Sequence, residues 1–292
     1  MGVVSDTLQV IYFDKNEHTM NMKVPLLTLS LLTSLVVFLI SCGDDDASPN
    51  KENSITSFSI NGTEATINES SKTISLDLLE TELTSLTPVI TISQNAEVNP
   101  ASGVSQDFTN PVIYTVTAED GGMETYTVTV TSLIRSFSFN GQDYEIVLSN
   151  MSWVNAAAFA VSRGGFLAEI NGADEQDAVF GALTEASISI ENTVAPDGGG
   201  ASYVWIGGND LATEGEWLWD GNNDNIGTQF WMGLSDGTAV GSLYNNWGNE
   251  PDDFGSGQDG LGIALTDWPL GVAGQWNDID HTNELYFVIE LN

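Results

Sequence analysis

The chain has 292 residues and sets 41 acidic side chains against six basic ones, a formal charge of −35. Past Ser136 the sole lysine or arginine is Arg163. That excludes nucleic acid, whose phosphates need basic side chains to displace their counterions, and it excludes docking of this region on anionic lipid. A hydrophobic share of 41% with abundant glycine and aromatics excludes a disordered acidic tail, so the charge serves solubility, binding of a hard cation, or both.

A single cysteine, Cys42, leaves no intrachain disulfide. It ends the stretch "MNMKVPLLTLSLLTSLVVFLISC", which starts at Met20 with one basic residue, Lys23, and runs apolar to Ile40. This is the layout of an export signal. An uncleaved membrane anchor is the alternative, because the run is nearly long enough to span a bilayer. "LISC" resembles the lipobox of bacterial lipoproteins, which implies cleavage of residues 1–41 and a lipid on Cys42. Gly43 and Asp44, Asp45 and Asp46 are similar to the acidic tethers of lipoproteins displayed on the outer membrane surface. Asp6, Asp14 and Glu17 sit oddly ahead of such a signal and place the true start at Met20 or Met22. Residues 42–53 then read as a lipidated acidic linker.

From 54 to 133 the chain alternates apolar and polar residues in "ITSFSI", "KTISLDL", "PVITI", "VIYTVTA" and "ETYTVTVTSL". Period two, β-branched content and turns such as Asn61-Gly62 predict short strands and no helix. The expected unit is an all-β, Ig-like sandwich. It resembles the Ig-like repeats that separate anchors from effector domains in bacterial surface proteins. No catalytic or metal-ligating constellation lies in it, so its predicted role is that of a spacer.

Residues 136–292 change character, and every tryptophan lies here. "SWVNAAAFAVSRGG" predicts a helix burying Trp153, Ala156 or Ala157, and Ala160, stopped by Gly164 and Gly165. "NGADEQDAVFGAL" predicts a second, capped by Asn171, with Asp174, Glu175 and Asp177 against the dipole and Val179, Phe180 and Leu183 inward. Long glycine-rich loops follow, and "ELYFVIELN" predicts a closing strand. The fold class is α+β, with loops long enough to be functional.

Those loops gather acids without basic partners. "WGNEPDDFGSGQDG" carries Glu250, Asp252, Asp253 and Asp259 with no lysine or arginine. Four segments in order, "YVWIGG" at 203–208, "NDLATEGEWLW" at 209–219, "EPD" at 250–252 and "QWND" at 275–278, resemble the C-type lectin-like domain across nearly all of 136–292. The resemblance implies a fold of two helices, small antiparallel sheets and long calcium-binding loops. It further implies a principal calcium site at Glu250, Asp252, Gln258, Asn277 and Asp278, with a cis Glu250-Pro251 bond. Glu250, Asp252, Gln258 and Asn277 would also bind sugar. Asp210, Glu214, Asp253 and Asp259 correspond to an auxiliary calcium site that stiffens the long loop.

The chemistry fits Ca2+, which takes six to eight oxygens in forgiving geometry. Two positions depart from the mannose-type pattern: Gln258 stands where the family has Glu, and Asp252 where it has Asn. The carboxylate count stays at three, so one charge is moved rather than lost. Sugar choice changes with it, because Asp252 only accepts hydrogen bonds. The absence of the disulfides found in animal members leaves a tryptophan-rich core and bound calcium to brace the fold.

Other chemistries find less support. His281 is a lone histidine, so no zinc set forms, and no nucleophile elbow is present. A carboxylate pair suggests a glycosidase, but Glu250 and Asp252 have no basic or apolar neighbour in sequence to raise one of them. Trp217, Trp219 and Trp276 read as core, and Trp231, Trp247 and Trp268, in loops, as platforms for a sugar face. The expectation is therefore a non-enzymatic, calcium-dependent lectin or adhesin, lipid-anchored in the outer membrane and binding glycans. The rival reading uses the same domain on protein or ice surfaces with calcium purely structural; a glycan hydrolase ranks behind both.

Overall fold

The computed structural model describes residues 48–255 and 257–292. Cys42, the acidic tether and the two candidate starts lie outside the described residues. Among those described, no helix is long and apolar enough to cross a membrane.

All five segments with period-two alternation form strands, and they pack as two facing sheets. One sheet joins Ile55–Ile60 to Thr63–Glu64 and Pro88–Ile92. The other has five strands in the order Thr66–Asn68, Thr73–Leu78, Met123–Ser132, Val112–Thr117 and Glu97–Asn99. Alternation puts Ile74, Leu76 and Leu78 on the inner face with Tyr126, Val128 and Val130, against Phe58 and Ile60 of the opposite sheet. Phe58 meets Tyr114 edge to face at 5.6 Å between ring centres. Asn61 and Gly62 both take positive φ, 51° and 82°, the requirement of a tight hairpin turn. Thr73–Leu78 and Met123–Ser132 pair in parallel, which alternation alone does not reveal. The linker's end is fastened, with Asn50 N–H donating to Glu119 at 2.9 Å. Leu133 N–H donates to Leu78 at 2.8 Å, so the next strand, Ile134–Phe139, follows without a free linker.

The region beyond is built on a branched sheet of ten strands. Its first long strand, Gln142–Met151, pairs antiparallel with its last, Leu285–Leu291, clamping both ends of the region together. Leu285–Leu291 pairs in parallel with Tyr203–Asn209, which is buried throughout. Gly260–Ala264 then pairs Tyr203–Asn209 on one side and Trp276–Ile279 on the other.

Helix α1 (Trp153–Ser162) buries Trp153, Ala156, Ala157 and Ala160, as its spacing predicts, and Ser152 caps it by accepting from Asn155 N–H. Helix α2 (Ala173–Glu185) starts one residue later than Asn171 would set it. Its N-cap is Gly172 without a side-chain bond, while Asn171 donates to Glu169 O and its N–H is taken by Glu175. Gln176 of α2 is buried and bridges to the strand that carries the last ligand motif. Its Oε1 accepts from Trp276 Nε1 at 2.7 Å and its Nε2 donates to Gly274 O at 2.9 Å.

Trp153, Trp205, Trp217 and Trp276 are fully buried. Trp219 stacks on Phe230 with centres 4.4 Å apart and meets Trp276 edge-on at 5.5 Å. Each such ring removes on the order of 200 Å² from water, which gives a disulfide-free domain a core of its own.

Candidate functional site

Register decides which acids meet. Asp278 lies opposite Leu261, and Asn277 opposite Gly262. Asn209 pairs with Gly260, so the next residue, Asp210, falls beside Asp259 and donates its N–H to Asp259 O at 3.3 Å. The loop closing over this edge runs through a cis Glu250-Pro251 bond.

Glu250, Asp252 and Asp278 form the first group, each offering a carboxylate oxygen within 4.8 Å of the others. Asp278 is 1% exposed; its Oδ2 accepts from Asp252 N–H at 3.0 Å and Asp253 N–H at 2.8 Å, while its Oδ1 has no partner. Glu250 is 4% exposed; its Oε1 accepts from Trp268 Nε1 at 3.0 Å, and its Oε2 is likewise unpartnered. Asp252 is exposed and holds Phe254 N–H at 3.1 Å. Burial pushes Asp278 up to about 8, with the charges of Glu250 and Asp252 adding to the shift and the hydrogen bond from Asp253 N–H opposing it. Burial also pushes Glu250 up to about 7, opposed by the Trp268 hydrogen bond and aided by Asp252. Asp252 is close in sequence, but the burial that dominates the shift comes from the fold, which brings Trp268 against the carboxylate.

The other two members of the expected principal set sit beside this group. Asn277 is buried, and its Nδ2 donates to Tyr203 Oη at 3.0 Å. Gln258 is buried with its Oε1 accepting from Phe254 N–H at 2.5 Å and its Nε2 donating to Asp197 Oδ2 at 3.2 Å. Asp197 belongs to none of the sequence motifs and lies outside the acidic run.

A second group joins Asp210, Glu214 and Asp259. Asp210 is 2% exposed, its Oδ2 accepts from Gly215 N–H at 2.8 Å, and its Oδ1 is unpartnered. Burial pushes it up to about 8, with the charges of Glu214, Asp259 and Asp278 contributing. Glu214 is also raised, by burial first and then by the charges of Asp253 and Asp259. Asp253 itself is not in the group. Its Oδ1 accepts from Gly257 N–H at 2.7 Å and so closes its own loop. His281, read as isolated, contacts Asp259 through Nδ1 at 2.7 Å.

Both groups fit a hard cation. They present oxygen only, and three of their buried oxygens lack any hydrogen-bond donor. A buried acceptor left alone costs about 1–3 kcal/mol, and more when charged. Arg163 cannot relieve them, because it is committed to Glu145 at 2.5 Å.

The first group opens into a cavity of about 460 Å³, lined by 196–199, Glu250, Asp252, Phe254, Gln258, 268–270 and Asn277. The expected aromatic platforms are mostly elsewhere. Trp247 packs against Trp217 and Trp276, and Trp231 is half-buried with Nε1 donating to Gly233 O. Trp268 lines the cavity but is 8% exposed and serves Glu250. The aromatic ring open to solvent at the cavity is Phe254, 70% exposed.

Residues 149–289 match the family model of the lectin C-type domain. This region has the C-type lectin fold. Residues 55–130 match the model described as "SGBP, N-terminal". Among curated proteins, the chain is 27% identical over 147 residues to halomucin of Haloquadratum walsbyi, covering 48% of this chain and 1% of that protein. It is 29% identical over 154 residues to the hepatic lectin of Gallus gallus, covering 52% of this chain and 56% of that protein. The chain thus spans about half the length of the hepatic lectin and a far smaller share of halomucin. Among solved structures, a mouse scavenger receptor C-type lectin carbohydrate-recognition domain aligns at 24% identity with a TM-score of 0.36, over 53% of this chain and 93% of that one.

Proposed function

We propose that the C-type lectin domain binds carbohydrate in a calcium-dependent manner and does no catalysis. The observation that carries this is the pair of buried, unpartnered oxygens, Glu250 Oε2 and Asp278 Oδ1, beside an open cavity with no basic side chain in its lining. Glu250, Asp252 and Asp278 would hold the ion, with Asn277 and Gln258 at its edge, and Asp210, Glu214 and Asp259 a second one. Calcium bound there would supply positive charge and open coordination positions suited to a sugar diol. Phe254 offers an exposed apolar face next to them, suited to packing on the C–H face of a sugar ring. The hepatic lectin relative, by its name, points the same way.

A hydrolase is less well supported. Glycosidases set two carboxyls across one bond, whereas here three carboxylates each bring an oxygen within 4.8 Å of the others, a set suited to one shared ion. They converge on a point.

The chain as a whole reads as a lipid-anchored protein of the outer membrane surface, with Cys42 acylated and residues 54–133 spacing the lectin domain from the anchor. The signal-like run ending at Cys42 and the acidic tether support this. A glycan array with calcium and with chelator tests the binding. Glycan signal that survives chelation, or no signal in either arm, contradicts the proposal.

A further inference from the structure

The cavity has two walls that are far apart in sequence, 196–199 and 250–258, and one side-chain pair joins them. Gln258 Nε2 donates to Asp197 Oδ2 at 3.2 Å and also reaches Asp197 O at 3.4 Å. The far end of the same amide is fixed as well, since Gln258 Oε1 accepts from Phe254 N–H at 2.5 Å. Asp197 in turn is fully engaged. Its Oδ2 accepts from Asp280 N–H at 2.7 Å and its Oδ1 from Asn283 Nδ2 at 2.6 Å, tying the wall to the turn just after Asn277 and Asp278. The wall's next residue continues the connection: Tyr203 Oη donates to Gly198 O at 2.7 Å and accepts from Asn277 Nδ2 at 3.0 Å. Gly198 allows this close approach, because a Cβ there would lie 2.8 Å from the Tyr203 ring.

We infer that Asp197 is a positioning residue of the cavity, and that position 258 carries an amide because Asp197 faces it. An amide is the one side chain of this length that donates to Asp197 while accepting from Phe254 N–H. A carboxylate at 258 would accept from Phe254 but meet Asp197 with like charge at hydrogen-bonding distance, in a site without a basic residue. The latch therefore holds the wall of Asp252 and Phe254 against the wall of Asp197 and Gly198, which Asp280, Asn283 and Tyr203 tie to the strand of Asn277 and Asp278, and it limits the charge around the first acidic group. The inferred effect on calcium rests on the proposed function; the latch itself rests on the contacts alone.

The test uses the full chain and its variants Gln258→Glu, Gln258→Met, Asp197→Asn and the double swap Asp197→Asn/Gln258→Glu. Two measurements are made: melting temperature in chelator, and calcium affinity by titration calorimetry. Gln258→Met removes the hydrogen bonds without adding charge, so Gln258→Glu is expected to melt below it in chelator. Despite its extra carboxylate, Gln258→Glu is expected to bind calcium about tenfold more weakly than wild type. The swap is expected to recover part of both losses: an amide at position 197 donates to the carboxylate at position 258 and removes the repulsion, but its NH2 no longer accepts from Asp280 N–H. Tighter calcium binding by Gln258→Glu with an unchanged melting temperature overturns the inference, as do strictly additive effects in the swap. If no variant, wild type included, binds calcium, the proposed function fails, and the melting cycle in chelator still decides the latch.

Discussion

Trp268 Nε1 donates to Glu250 Oε1 at 3.0 Å and leaves Glu250 Oε2 as a buried oxygen without a partner. The indole thus orients the carboxylate and fixes which lone pairs face the neighbouring acids. Hydrogen bonds to charged groups contribute about 1.5–3 kcal/mol. Trp268→Phe keeps most of the packing and removes the donor, so calcium affinity is expected to fall by about tenfold or more while the fold persists. Calorimetric titration beside far-ultraviolet circular dichroism checks both halves. Unchanged affinity removes Trp268 from the site.

Without metal, the protein is expected to lose stability as pH rises. Folded-state values of about 8 for Asp278 and Asp210 and about 7 for Glu250 lie above those of an unfolded chain, which are near 4. The native state then holds protons that the unfolded state has released, so ionising these acids costs folding free energy. The loss falls between roughly pH 4 and pH 8. Bound calcium reverses the slope, because it requires the ionised forms. Melting temperatures of metal-free and calcium-saturated protein across that interval should diverge toward high pH. A metal-free protein that grows more stable from about pH 5 to pH 8 contradicts the burial account.

Much of this arrangement is legible in the sequence. Period-two runs mark all the main strands of the first region, and Trp153, Ala156, Ala157 and Ala160 mark the buried face of α1. The resemblance to the C-type lectin-like domain implies one set at Glu250, Asp252, Gln258, Asn277 and Asp278 and another at Asp210, Glu214, Asp253 and Asp259; the structure gathers the three acids of the first set, and Asp210, Glu214 and Asp259 without Asp253 of the second. What escapes reading depends on partners distant in sequence. Gln142–Met151 has no clean alternation because Tyr144, Glu145, Ile146 and Val147 are buried consecutively, Glu145 by pairing with Arg163. Asp197 looks like a loop acid until Gln258, Asp280 and Asn283 converge on it. Trp247 and Trp268 lie in loops, but those loops fold inward, whereas exposed Phe254 carried no distinguishing signal.

Asp210 isolates the second acidic group. Asparagine at this position can still accept from Gly215 N–H, while it removes a buried charge whose second oxygen has no donor. Metal-free Asp210→Asn is therefore expected to melt higher than wild type near pH ~8, where the native carboxyl ionises. Its gain from calcium should shrink from the roughly 2.7 kcal/mol that a ligand gives at about 100 times its dissociation constant. Scanning calorimetry with and without calcium reads both changes. An unaltered calcium response places no ion at Asp210.

Phe254 separates sugar recognition from metal binding. Its ring is 70% exposed at the cavity, so truncation removes little packing, and surface changes of this kind stay within about 0.5 kcal/mol. The backbone N–H that meets Gln258 and Asp252 is untouched by Phe254→Ala. Calcium affinity and melting temperature should therefore match wild type. If the ring packs on an apolar sugar face, worth about 0.5–1.5 kcal/mol as for aromatic pairs, glycan affinity should drop about fivefold. The rival reading, in which calcium only stiffens a domain that grips protein or ice, expects no glycan effect from this substitution. Glycan affinity equal to wild type at saturating calcium would remove Phe254 from sugar recognition and favour that rival.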